Sequence, residues 1–228
     1  MTAVTFDFGQ TLCDLDTAML SRRLAERGLD VPEGRLEASV IEAWSAYDAA
    51  IQAGHGGHPW KILMRRLLAL AGATGPSATE AIDWLWKEQP RRNLWRRPID
   101  GMIELVRALG AAGVAVGVVS NSEGRLAELI DELGWSGDFL TVADSGRLGM
   151  EKPDSPIFLW AAERLGAPPE RVVHVGDSYA ADVEGALRAG MRAVWFRGQP
   201  GRALPGEARI ASTAAGVREA LMGWGIGV

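Results

Sequence analysis

Between Val114 and Val119 the chain reads VAVGVV, a run without a single polar side chain that ends at Ser120. A strand half-exposed to water alternates apolar and polar residues; an unbroken apolar run fits a strand covered on both faces, as in a parallel sheet layered by helices. Further, mostly apolar strands are expected at Ala3–Asp7, Val172–Val175 and Ala193–Phe196, with a shorter strand around Phe139–Ala143. Helical stripes lie between these runs. Met102, Val106 and Leu109 mark one; Leu126, Leu129, Ile130 and Leu133 mark another. Further helices are expected around Ile157–Leu165, from the GDSYAAD segment through Arg188, and over Val217–Leu221. Strands alternating with helices predict an α/β fold, a Rossmann-like doubly wound parallel sheet.

The pattern breaks between residues 15 and 97. There the chain reads as helices over Thr17–Arg27, Glu33–Ala53, Trp60–Ala71 and Ala78–Glu88, separated by Gly, Pro and Ser. Ile62, Leu63, Leu67 and Leu70 form a stripe able to pack on a neighbouring helix. The expected division is therefore a core of residues 1–14 and 98–228 interrupted by an all-helical cap of residues 15–97.

Composition removes several classes of function. The net charge is −5 over 228 residues and no basic block is present, so nucleic acid is not an expected partner. No apolar run approaches the roughly 20 residues a spanning helix needs, so no membrane partner is expected. Met1 leads almost directly into the first strand, which argues against a signal peptide and for a cytoplasmic location. Cys13 is the only cysteine, so it makes no internal disulfide and reads as a small packed apolar residue.

In an open α/β sheet, ligands bind beyond the carboxyl ends of the strands, so the residues after each strand carry the functional signal. Asp7, Gly9, Gln10 and Thr11 follow the first. Ser120 and Asn121 follow the second, and the loop after the third leads to Lys152 and Pro153. Gly176, Asp177 and Ser178 follow the fourth, with Asp182 one turn further on. An acid, a hydroxyl, an ammonium and an acid pair thus converge from four strand ends. Each has a bland reading on its own: Asp177 and Asp182 as acids at a helix start, Ser120 as a turn residue, Lys152 as a solvated loop lysine.

Together they suit phosphoryl transfer through an acyl phosphate. A carboxylate and a phosphate repel, so a divalent metal is needed to bridge them, and hard carboxylate oxygens suit Mg²⁺. On this reading Asp7 is the nucleophile and Lys152 offsets charge on it. Ser120 and Asn121, the latter with its backbone N–H, hold phosphate oxygens. Asp7 and Asp177 supply oxygen ligands to the metal, and Asp182 holds metal-bound water or orients Lys152.

Four ordered motifs, FDFGQTL, VVSNS, MEKPD with the following PIF, and HVGDSYAAD, make the chain resemble the haloacid dehalogenase superfamily. The resemblance implies a Mg²⁺-dependent phosphatase acting on a small phosphorylated metabolite, as a monomer or homodimer. The helical insertion is similar to the family's first cap type. The resemblance also implies that Asp177 and Asp182 serve the metal, with a further ligand in the backbone carbonyl of Gly9, where most phosphatases of the family carry an acid–base aspartate.

That missing side chain is worth ~10²–10⁴ in rate where an acid–base group is positioned. Asp14, seven residues after Asp7, and Gln10 are the nearby polar substitutes. The alternative is a catalytically weak protein of the same fold that binds a phosphorylated ligand or a protein partner. Dehalogenation does not require the metal set, and phosphonate cleavage would call on a cap lysine, Lys61 or Lys87. In the cap, His55, His58 and Trp60 of the HGGHPW loop are candidates for substrate contact. Arg65, Arg66, Trp84, Trp86 and Trp95 are weaker ones.

Overall fold

A computed structural model describes residues 2–53, 59–199 and 201–227. The first half of the chain forms β1 (Ala3–Phe6), β2 (Cys13–Leu15), α1 (Thr17–Ala25), α2 (Glu33–Gln52), α3 (Trp60–Leu70), α4 (Pro76–Glu88), β3 (Trp95–Pro98) and α5 (Met102–Ala111). The second half forms β4 (Ala115–Ser120), α6 (Leu126–Glu132), β5 (Thr141–Asp144), α7 (Ser145–Leu148), α8 (Ser155–Arg164), β6 (Val172–Gly176), α9 (Glu184–Arg188), β7 (Arg192–Phe196), β8 (Ala208–Ala211) and α10 (Ala214–Met222). A π-helical turn over Tyr179–Val183 leads into α9.

Six strands make one sheet in the order β5–β4–β1–β6–β7–β8, and every adjacent pair is parallel. All residues of β1, β4 and β6 are buried, as their predominantly apolar sequences lead one to expect. The chain starts in the middle of this sheet, builds outward to β5, then returns to the other side of β1 and builds outward again. Between β1 and β6 the direction of winding reverses, and it is beyond the carboxyl ends of the strands at such a point that open α/β sheets bind ligands.

Helix boundaries follow local chemistry. The side chain of Thr213 accepts from Gly216 N at 3.1 Å and starts α10; Pro156 occupies the first turn of α8, where its missing N–H costs nothing. Ile157, Phe158 and Ala161 of α8 are fully buried and belong to the apolar core beneath the sheet.

Three short strands depart from the expected pattern. β2 and β3 pair with each other as a separate two-stranded sheet, within segments that read as cap helix or loop, and β8 closes the large sheet at one edge. Their sequences, CDL, WRRP and ARIA, are three or four residues long and each carries a charged residue. A period of two needs a longer run to show itself.

Contacts divide the chain into two compact units, Met1–Asp14 with Arg97–Val228, and Leu15–Arg96. The smaller unit holds α1 to α4, with Leu36, Leu63, Leu67 and Leu85 buried among them. Arg23 is also buried there, its guanidinium 4.1 Å over the Trp84 ring and paired with Glu26 at 3.1 Å. Among the described residues no helix is long and apolar enough to cross a membrane.

Candidate active site

β1 and β6 flank the point where the winding reverses, so the residues that follow them lie together at the carboxyl end of the sheet. Asp7 still belongs to the ladder through its N–H, which donates to Val175 O at 2.8 Å. The chain then folds back at once. Gln10 takes φ +58°, its N–H donates to Cys13 O at 2.7 Å, and the Leu12 and Cys13 N–H groups both donate to Phe8 O at 2.9 Å. A non-glycine residue held at positive φ costs on the order of 1–3 kcal/mol, which the closed turn offsets. Gly9 sits inside this turn, bridged to Cys13.

Lys152 is the hub of the site. Its ammonium, 3% exposed, donates to Asp7 Oδ1 and to Asp182 Oδ1, each at 2.6 Å. Ser120, the last residue of β4, donates its hydroxyl to the same Asp7 Oδ1 at 2.9 Å. No hydrogen bond reaches Asp7 Oδ2 from the described residues. One oxygen of the carboxylate is therefore anchored twice and the other is left open. Asn121 holds Lys152 from behind: its side-chain nitrogen donates to Lys152 O at 2.9 Å and its side-chain oxygen accepts from Lys152 N at 2.8 Å. This amide pair positions the lysine backbone, so only the backbone N–H of Asn121 remains for the phosphate role given to it above.

Asp182 lies in the π-helical turn after β6. Its N–H donates to Ser178 O at 2.9 Å and the Val183 N–H donates to the same oxygen at 3.3 Å, the widened pattern of a π turn, a feature common at functional sites. The turn brings the carboxylate back over the end of β6. There Oδ2 accepts from Ser178 N at 2.9 Å, and Oδ1 also lies 3.0 Å from His174 Nε2. Only glycine fits beneath it, because a Cβ at Gly176 would stand 2.2 Å from Asp182 Cγ. Asp177 is half-buried, and its carbonyl accepts from Trp195 Nε1 at 2.7 Å, which fixes the loop.

The charges are strongly coupled. Burial raises the Asp7 carboxyl above its ordinary range, the Lys152 ammonium opposing and the Asp182 charge adding. Burial acts in the same sense on Asp182, but Lys152 and the hydrogen bond from His174 outweigh it and hold that carboxyl well below the usual range. Lys152 stays firmly protonated: burial disfavours its charge, and the Asp182 and Asp7 carboxylates more than compensate. Burial pushes the His174 imidazole down despite its carboxylate neighbour.

Asp7, Asp177 and Asp182 each offer a carboxylate oxygen, all within 4.8 Å of one another. Opposed ligands of an ion bound at about 2.1 Å stand about 4.2 Å apart, so this all-oxygen set fits a hard divalent cation with little adjustment. A cation there would also offset the charge that burial makes costly on Asp7.

The other expected residues fall elsewhere. Asp14 is engaged by two guanidinium groups, Arg197 Nη1 at 2.6 Å and Arg97 Nη2 at 3.7 Å. They share an open pocket with Asp100, Ser212 and Thr213. Gln10 is buried in the turn described above. Trp60 is fully buried with its ring 5.4 Å from that of Trp86, a packing role within the helical unit. His55 and His58 lie outside the described residues. Sequence reasoning passed over His174 and its partner Thr5, whose hydroxyl lies 2.9 Å from Nδ1. The available signal was a single polar residue inside the strand VVHVG.

A sequence model described as haloacid dehalogenase-like hydrolase matches residues 1–190. The haloacid dehalogenase-like hydrolase domain-containing protein 3 of Mus musculus is 31% identical over 140 residues, which are 61% of this chain and 55% of that protein. The chain thus spans about half the length of that relative. The glyceraldehyde 3-phosphate phosphatase of Methanopyrus kandleri is 29% identical over 199 residues, covering 86% of this chain and 83% of its own. Among solved structures, the HAD-hydrolase YfnB of Bacillus subtilis aligns over 96% of this chain and 98% of its own, with a TM-score of 0.74 at 16% identity. That last likeness is one of fold.

Proposed function

We propose, from the premise that this chain belongs to the haloacid dehalogenase-like hydrolase family, that it is a Mg²⁺-dependent phosphatase of a small phosphorylated metabolite. The observation that carries the reading is the buried Lys152 ammonium bridging Asp7 and Asp182, with Ser120 on the same Asp7 oxygen as the lysine. That geometry anchors one carboxylate oxygen and leaves its twin open to attack phosphorus. A buried acid–lysine–acid line has little value as a structural feature, since apolar residues of equal volume serve stability as well. A phosphatase among the relatives supports the same class of reaction.

Asp7 Oδ2 forms a bond to phosphorus as the ester bond to the leaving oxygen breaks, giving an aspartyl phosphate. Water then attacks phosphorus, releasing inorganic phosphate and restoring the Asp7 carboxylate. Lys152 and the Ser120 hydroxyl offset charge on Asp7 and on the transferring group throughout. The Asp7, Asp177 and Asp182 carboxylates, with the Gly9 carbonyl, would hold Mg²⁺, which supplies charge neutralisation between carboxylate and phosphate. Gly9 provides no group to protonate the leaving oxygen, and Asp14 is occupied by guanidinium groups. Leaving groups that depart without help, such as phenolates, are therefore favoured, the required proton coming from solvent.

Purified protein should hydrolyse an aryl phosphate with Mg²⁺ and lose that activity in EDTA and in Asp7→Asn. The same absence of an acid at Gly9 favours a second reading, a ligand-binding protein with little turnover. A broad panel of phosphorylated metabolites separates the two, since binding without phosphate release would support the second. Gly9→Asp should raise turnover of alkyl phosphates by ~10² or more if an acid is what the site lacks.

A further inference from the structure

His174 takes no part in the steps above, yet it is fully buried and engaged at both ring nitrogens. Burying an imidazole between the valines of β6 is unfavourable unless its polar atoms are satisfied. Here they are. Thr5 and His174 are direct cross-strand neighbours in the β1–β6 register, and the Thr5 hydroxyl lies 2.9 Å from Nδ1. On the other side Nε2 lies 3.0 Å from Asp182 Oδ1. An ionised carboxylate only accepts, so the ring hydrogen sits on Nε2, and Nδ1 accepts from the Thr5 hydroxyl. The Phe158 ring stands edge-on to the imidazole at 5.1 Å and limits its rotation.

The oxygen that receives Nε2–H is the same Asp182 Oδ1 on which Lys152 rests. With Ser178 N on Oδ2, both ends of this carboxylate are fixed, and Lys152 can lie only where Asp182 Oδ1 and Asp7 Oδ1 both reach it. We propose that His174 is a positioning residue of the phosphoryl-transfer site, its Nε2–H fixing the Asp182 oxygen that places Lys152 against Asp7, with the Thr5 hydroxyl selecting the ring tautomer. The inference rests on the phosphatase reading for its kinetic consequence, but its structural content does not depend on turnover.

The test uses the full chain and two measurements. In wild-type protein, long-range ¹H–¹⁵N spectra at neutral pH should show His174 protonated at Nε2 and bare at Nδ1. In kinetics on an aryl phosphate with saturating Mg²⁺, His174→Leu should lower kcat roughly ten- to hundredfold, the range for partners that orient site ligands, with KM little changed. The amide nitrogen of His174→Gln reaches about as far as Nε2, so this variant should recover most of the loss. Thr5→Val should lower kcat in the same direction by a smaller factor. If His174→Leu does not fold, Thr5→Val and the spectra carry the test. Protonation at Nδ1, a Gln variant no better than Leu, or unchanged kcat in Thr5→Val together with His174→Leu would overturn the proposal. A wild-type protein without turnover but with the expected tautomer would count against the phosphatase reading and leave the positioning geometry standing.

Discussion

A methyl group at Gly176 would sit 2.5 Å from Asp182 Oδ2 as well as 2.2 Å from its Cγ, inside the carboxylate on which Lys152 depends. Gly176→Ala should therefore lower kcat on an aryl phosphate by about 10² or more, because a displacement near 1 Å at a catalytic group is enough for such a loss. Circular dichroism should show the sheet intact. Asp7 makes the opposite kind of prediction. Its carboxyl is raised above the unfolded value, chiefly by burial. It favours the folded state at low pH, and that contribution is lost as pH rises through the raised value. Asp7→Asn should abolish turnover and yet raise the Tm of metal-free protein at a pH above the raised value, a trade of stability for activity. A lower Tm would mean that the lysine contact outweighs the burial.

At the scale of elements, the site depends on how closely α9 approaches the segment that carries Lys152. A Cβ at Gly185 would stand 2.7 Å from the Phe158 ring and 3.1 Å from Pro153 Cα. Gly185→Ala should cost about 1–3 kcal/mol through overpacking, read as a lowered denaturation midpoint, and should slow turnover because the residue next to Lys152 must move. The strands that position the site were legible from sequence, since β1, β4 and β6 are buried on both faces and show it as predominantly apolar runs. The short strands β2, β3 and β8 were not, because they are set by pairing rather than by their own pattern. The side-chain partners of Asn121 and His174 escaped for a related reason. Asn121 meets Lys152 from 31 positions away, and the partner of His174 becomes visible only once the register sets Thr5 beside it. The salt bridge from Asp14 to Arg197, 183 positions along, likewise has no local signature.

Across the whole molecule, three acids from two strand ends share one cation-sized space. A ligand that binds only the folded state stabilises by about 2.7 kcal/mol at 100 times its Kd. For a chain of this length each kcal/mol is worth about 2–4 °C. Saturating Mg²⁺ should thus raise the Tm of the wild type by roughly 5–10 °C and that of Asp177→Asn by much less. An equal shift in both would place the cation elsewhere.

The order of strands in the sheet also has a consequence in time. β1 is made first but lies at the centre, and its two neighbours arrive only with residues 115–120 and 172–176. At about 5–20 residues per second, the ribosome needs on the order of ten to thirty seconds to deliver the second of them. The helical unit, complete by Arg96 and built from local contacts, can fold during that wait. Asp7, the proposed nucleophile, meanwhile stays without its lysine and its companion acids, so an unfinished chain carries it but no means of using it.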